Sequence, residues 1–159
     1  MKLKKSDKLY KRSEVKEQTD KLFIFTDNCD RTSGSVSIKD SSQYSQRFNK
    51  TGLKHPMKTS AIIRGLDNAY PITTQKSYSK AKNIYLGNWK DEDFKEFKKV
   101  IDKDIEEIKK ACVEKGYKEI IFPPYGILNT DIARITISRT PKLFQYIIDK
   151  ELELKKFEP

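Results

Sequence analysis

The sequence predicts an α/β fold: one domain with a mostly parallel or mixed sheet flanked by helices. Two observations predict it. Short, strand-like apolar runs are interspersed with long amphipathic helical patterns, in the order strand, polar segment, strand, helix, strand, loop, helix. No internal repeat or linker divides the 159 residues, which suffice for one real core.

Taken in order, residues 1–19 read as a basic tail or a short frayed helix, and 20–159 as the domain. "LFIFT" (22–26) is continuous, apolar and bounded by polar residues, the pattern of a buried strand. Residues 27–58 are polar and lack strong periodicity, and stretches of that length are commonly functional or mobile. "SAIIRGL" (60–66) reads as a second strand ended by Gly65. "DNAYPITTQK" (67–76) reads as a short edge strand or an extended loop, because Pro71 cannot donate in a central strand. "KNIYLGNWK" (82–90) fits strand or loop.

The clearest element is a helix over about 91–115. Asp91 stands at its N-cap with Glu92 and Asp93 in the first turn. Phe94, Phe97, Ile101, Ile105, Ile108 and Cys112 form one apolar stripe, and Gly116 ends it. "KEIIFPP" (118–124) is a strand closed by prolines, and "YGILNTDIARI" (125–135) a loop entering a short helix. Thr140 then caps a terminal helix that starts at Pro141.

Composition narrows the function. The net charge is +10, and the first sixteen residues carry seven Lys and Arg against Asp7 and Glu14, hence +5 of it. Such a chain attracts polyanions or phosphorylated small molecules. The basic segment is either a solubilising arm or a weak nucleic-acid contact. No apolar run spans a bilayer and no signal-peptide pattern opens the chain, so no membrane is expected and the cytoplasm is the expected location. Cys29, Cys112 and His55 do not make a zinc site; Cys29 reads as a small buried thiol and His55 as a loop histidine.

Ligands of open α/β sheets bind beyond the carboxyl ends of strands. Three such ends carry suitable groups. The first offers Thr26, Asp27, Asn28, Arg31, Thr32 and Ser33; the second Arg64, Tyr70, Thr73, Thr74 and Lys76; the third Tyr125, Gly126, Asn129 and Thr130. Arg31, Arg64 and Lys76 can neutralise phosphate, while Tyr44, Tyr70 and Tyr125 can stack on a base. Each stretch also has a plain structural reading, as turn, edge strand or helix entry. Neither a P-loop nor a dinucleotide fingerprint is present. Cys29 stands where a D-x-D phosphatase needs its second Asp, and Asp27 and Asp30 alone are a poor magnesium site.

The segments "FIFTDNCDRTSGS", "IIRGLDNAYPITTQKSY" and "IIFPPYGILNTDIARI…RTPKLFQYIIDKELE" resemble a family of small uncharacterised tailed-phage proteins over roughly residues 20–155. The layout is more distantly similar to macro-like domains that bind ADP-ribose. That resemblance implies a first loop with Asn28, Arg31 and Gly34, a middle segment with residues 70–73, and a phosphate loop at 125–129 carrying one glycine. It also implies a phage setting, with the host cytoplasm as location. The expected function is binding of a phosphorylated nucleotide, ADP-ribose-like or cyclic, as a sponge for a host immune signal. No cofactor or metal is expected, and a homo-oligomer stays open. The rivals are a hydrolase of the same ligand, with Asp27 or Asp30 activating water, and a nucleic-acid or host-protein binder acting through residues 1–19.

Overall fold

The computed structural model describes residues 1–29, 60–76, 88–124, 126–128 and 135–159. The elements are β1 (Lys2–Lys5), α1 (Arg12–Glu17), β2 (Leu22–Asn28), a 3-10 turn (Ser60–Ile63), β3 (Ala69–Gln75), a 3-10 turn (Asp91–Asp93), α2 (Phe94–Lys115), β4 (Glu119–Phe122) and α3 (Pro141–Lys156). The strands form one sheet in the order β1-β4-β2-β3, and every pairing is parallel. The α/β expectation holds.

A parallel sheet needs cover on both faces, and the side-chain alternation of β2 supplies it. Leu22 and Ile24 pack with Ile72, Ile120 and Phe122 beneath Phe97, Ile101, Ile105 and Ile108 of α2 and Leu143, Ile147 and Leu154 of α3. Phe23 and Phe25 point the other way and pack with Ile121, Tyr10, Val15, Ala61, Ile62 and Ile63. Each fully buried large apolar side chain stabilises the fold by roughly 1.5–3 kcal/mol. Gly116 closes α2 in the left-handed conformation at φ 71°, where any other residue would be strained.

The structure corrects four local readings. Residues 1–19 are not a tail. β1 pairs with β4, the Ser6 N–H donates to the Phe122 carbonyl at 2.8 Å, and the amino terminus donates to the Phe157 carbonyl at 2.8 Å. The Tyr10 hydroxyl donates to the Ile24 carbonyl at 2.7 Å and lies 3.2 Å from that of Ile121, joining two central strands. Lysines hid this strand, but on an exposed edge they discourage pairing with other chains.

"SAII" is a 3-10 turn and not a strand. Short apolar runs read alike in both conformations. The Arg12 guanidinium helps hold the turn by donating to the Ile62 and Arg64 carbonyls at 3.1 and 2.7 Å.

Asp91 does not cap its own helix. Its carboxylate accepts the Lys142 and Leu143 N–H groups at 3.4 Å each, capping α3 from across the fold. Thr140 precedes α3 but turns back to Thr136, accepting its N–H at 3.0 Å. Pro71 sits in edge strand β3, where a missing donor is tolerated.

Candidate functional site

Because all four strands are parallel, their carboxyl ends share one edge of the sheet. β4 pairs with the first residues of β2, Leu22 with Ile120 and Phe23 with Ile121, so β2 continues about four residues, ~13 Å at ~3.3 Å each, beyond the end of β4. After β2, the next described residues, 60–63, pack on the face of Phe23 and Phe25. After β4, Ile127, Ile135 and α3 pack on the opposite face. In open α/β sheets the region outside the carboxyl ends of the strands is the usual ligand position.

The end of β2 is polar and closed off from solvent. Thr26, Asp27 and Asn28 are all buried. The Thr26 N–H donates to Ser60 Oγ at 2.9 Å. Arg64 donates to Asp27 twice, Nε to Oδ2 at 3.0 Å and Nη2 to Oδ1 at 2.7 Å, and the Asn28 N–H also reaches Oδ1 at 2.9 Å. The Asp27 side chain is 0% exposed and that of Arg64 7%. This fork-to-fork pair is set within the fold.

The end of β3 lies alongside. Asp27 pairs with Thr73 and Asn28 with Gln75, so Thr74 is an extra residue in a β-bulge. Such bulges re-aim side chains at sheet ends and next to functional sites. The buried Thr74 hydroxyl has no hydrogen-bond partner among the described residues. Asp104 of α2 accepts from the Thr73 N–H at 2.8 Å and from its hydroxyl at 2.7 Å. The Trp89 indole N–H donates to the Thr73 carbonyl at 3.3 Å.

Thr26, Asp27, Asn28, Arg64, Thr73 and Thr74 are therefore close together at the ends of β2 and β3, whereas Gly126 follows β4, which ends about four residues short of β2. Tyr70 is not with them. It lies five residues back along β3, about 16 Å from Gln75 at ~3.3 Å per residue, with the Lys115 ammonium 5.7 Å from its ring centroid. Lys76 turns toward the start of α2, 3.8 Å from Asp93 and 3.6 Å from Glu96. Arg64 and Lys76 thus already face carboxylates. Arg31, Thr32, Ser33, Tyr125, Asn129 and Thr130 lie outside the described residues, as do Asp30, Gly34, Tyr44 and His55.

The sequence reading missed Ser60, Gln75, Asp104 and Lys5 at this edge. Asp104 left a signal: it falls three residues after Ile101 and four before Ile108, on the apolar stripe itself. Lys5 ends β1 opposite Phe122. It left none within a lysine-rich run.

Cys29 is exposed at the end of β2, not the buried thiol expected, whereas Cys112 is buried and its thiol is pushed up to about 11 by that burial. A thiol reagent such as DTNB should therefore modify Cys29 quickly in the native protein and Cys112 only after denaturation. Two equivalents released at one fast rate would contradict this geometry.

The amino edge of the sheet carries a different feature. A hollow of about 630 Å³ opens there, lined by Arg12, Lys16, Asp67, Lys115 and Tyr117 among others. The Lys115 ammonium donates to the Asp67 carbonyl at 2.8 Å, and burial raises the Tyr117 hydroxyl above its ordinary pKa.

Among the described residues, no group of three or more His, Cys, Asp or Glu is placed to hold a metal ion, and no helix is long and apolar enough to cross a membrane.

Fold and site together define a single-domain parallel α/β protein, covered on both faces, with buried polar residues at the carboxyl ends of two adjacent strands of its sheet. The chain belongs to the family of unknown function DUF7831, whose family model matches residues 5–150. No curated protein and no solved structure matches it.

Proposed function

We propose that the protein binds a phosphorylated nucleotide at the carboxyl edge of its sheet. The observation that carries this reading is the cluster of buried polar residues, 26–28 and 73–75, at the adjacent carboxyl ends of β2 and β3. A net charge of +10 favours an anionic ligand. The resemblance to macro-like domains suggests an ADP-ribose-type or cyclic nucleotide, and a phage-type sponge is the role that such binding without turnover would serve. Hydrolysis by Asp27 has less support, because both of its carboxylate oxygens are already engaged by the Arg64 guanidinium.

The test is calorimetry against ADP-ribose, cyclic dinucleotides and mononucleotides, combined with alkylation of Cys29. A ligand at the carboxyl ends of β2 and β3 is expected to slow Cys29 alkylation at least several-fold and to be recovered intact after denaturation. Absence of heat with the whole panel would end the proposal, and recovery of product would convert the sponge into an enzyme.

The basic hollow at the amino edge supports a second location for the same ligand class. Binding that leaves Cys29 alkylation unchanged and is weakened by Lys115→Ala would place the ligand there.

A further inference from the structure

We propose that Lys5 holds the phosphoryl or pyrophosphoryl part of the ligand at the carboxyl edge, above the turn that follows β4. This deepens the nucleotide-binding reading and rests on it for the rest of the ligand.

The placement follows from the sheet. β1 runs parallel to β4, and Lys5 is in register with Phe122, the last residue of β4. Leu3, two residues earlier, packs with the core beneath α2 and α3, so Lys5 leaves the sheet on that same face. The chain after β4 departs on that face too. It turns at once, with the Gly126 N–H donating to the Pro123 carbonyl at 2.9 Å.

Gly126 adopts φ 73°, a conformation that other residues resist. A methyl group there would sit 3.5 Å from Lys5 Cε and 3.8 Å from its ammonium. The lysine therefore lies across the turn at Gly126, with its ammonium held beside that backbone.

Its charge is also available. Arg64 is locked onto Asp27, and Lys76 sits by Asp93 and Glu96. Lys5 makes no ion pair among the described residues. Glu151 of α3 is the acidic group that feels it: burial raises the Glu151 carboxyl, and the Lys5 charge partly offsets that rise. An incoming phosphate would compete with this carboxylate for the ammonium.

The experiment uses the full chain, with inorganic pyrophosphate and ADP-ribose as probes in low-salt calorimetry. Lys5→Gln, Lys4→Gln and Glu151→Gln are compared with the unaltered protein, and thermal melts check that each variant folds. Lys4 carries the same charge on the same strand but points to the opposite face. Lys5→Gln is expected to weaken both probes about tenfold, the scale of one charge-assisted contact. Lys4→Gln should stay within about twofold, the size of a screened surface charge. Glu151→Gln should tighten binding by about two- to threefold by removing the competing carboxylate. Equal weakening by Lys4→Gln and Lys5→Gln would reduce the effect to net charge and overturn the assignment. So would unchanged binding in Lys5→Gln, which would leave the nucleotide reading intact. Loss of pyrophosphate binding in Lys5→Gln, in a protein that binds no nucleotide, would keep the anion site and end that reading. If the unaltered protein binds neither probe, the assignment falls, and the rest of the nucleotide panel decides the broader reading.

Discussion

Deleting residues 1–19 should abolish the folded state rather than trim a tail. The deletion removes β1, the Ser6 bond to Phe122 and the amino-terminal bond to Phe157. It also removes Tyr10 and Val15, both buried in the core on the Phe23 and Phe25 face. Each of those two side chains contributes roughly 1.5–3 kcal/mol by burial. Loss of the Tyr10 hydroxyl leaves the Ile24 carbonyl without that donor, at about 1 kcal/mol more. The sum reaches about 5 kcal/mol, the lower end of the whole stability of an ordinary domain. The expected outcome is insoluble protein, or a soluble chain without a cooperative melt. A truncated protein melting within about 5 °C of the full chain would show that the amino-terminal packing contributes little. A separate question, whether this segment contacts nucleic acid, needs variants that keep the fold. Gln at Lys2, Lys4 and Lys8 removes exposed charges at about 0.5 kcal/mol or less each. If DNA binds through this edge, those changes should flatten the salt dependence of its affinity.

Replacing Arg64 by alanine should cost about 3–5 kcal/mol, because it strips the guanidinium from a buried Asp27 carboxylate. For a chain of this size that lowers the melting temperature by roughly 10 °C. The companion variant, Asp27→Asn with Arg64→Met, removes both charges and keeps most of the volume. It should melt well above the single variant, since the penalty lies mainly in the orphaned charge. Thermal melts of the two, with a double-mutant cycle, decide the matter. An Arg64→Ala protein as stable as the parent would mean that the pair is not structural, returning Arg64 to the role of phosphate holder. The expected loss assigns it instead to holding the end of β2 in place.

Much of the architecture was legible before the coordinates. The stripe from Phe97 to Cys112 specified a helix because a 3.6-residue period can bury one face only in that conformation. "LFIFT" specified a doubly buried strand because an unbroken apolar run must be covered on both sides. Pro71 narrowed its segment to an edge strand or an extended loop because it lacks a donor, and the sheet makes it the edge strand. Other features had no local signature. "KLKK" holds one apolar residue, and only β4 beside it makes it a strand. Asp91 resembles a cap for the nearest helix, yet its carboxylate meets the start of α3, 51 residues away.

The sequence by itself determined the α/β class, the two long helices, the strands that contain LFIFT and EIIF, and the polar character of the strand ends, since these follow from periodicity and residue chemistry within a few turns of chain. Only the tertiary structure decided the strand order, the parallel register that sets Asp27 beside Thr73, and which cations remain available at that edge. The reason is physical: an ion pair or a strand pairing joins residues distant along the chain, and its partner is fixed by where the whole core places it.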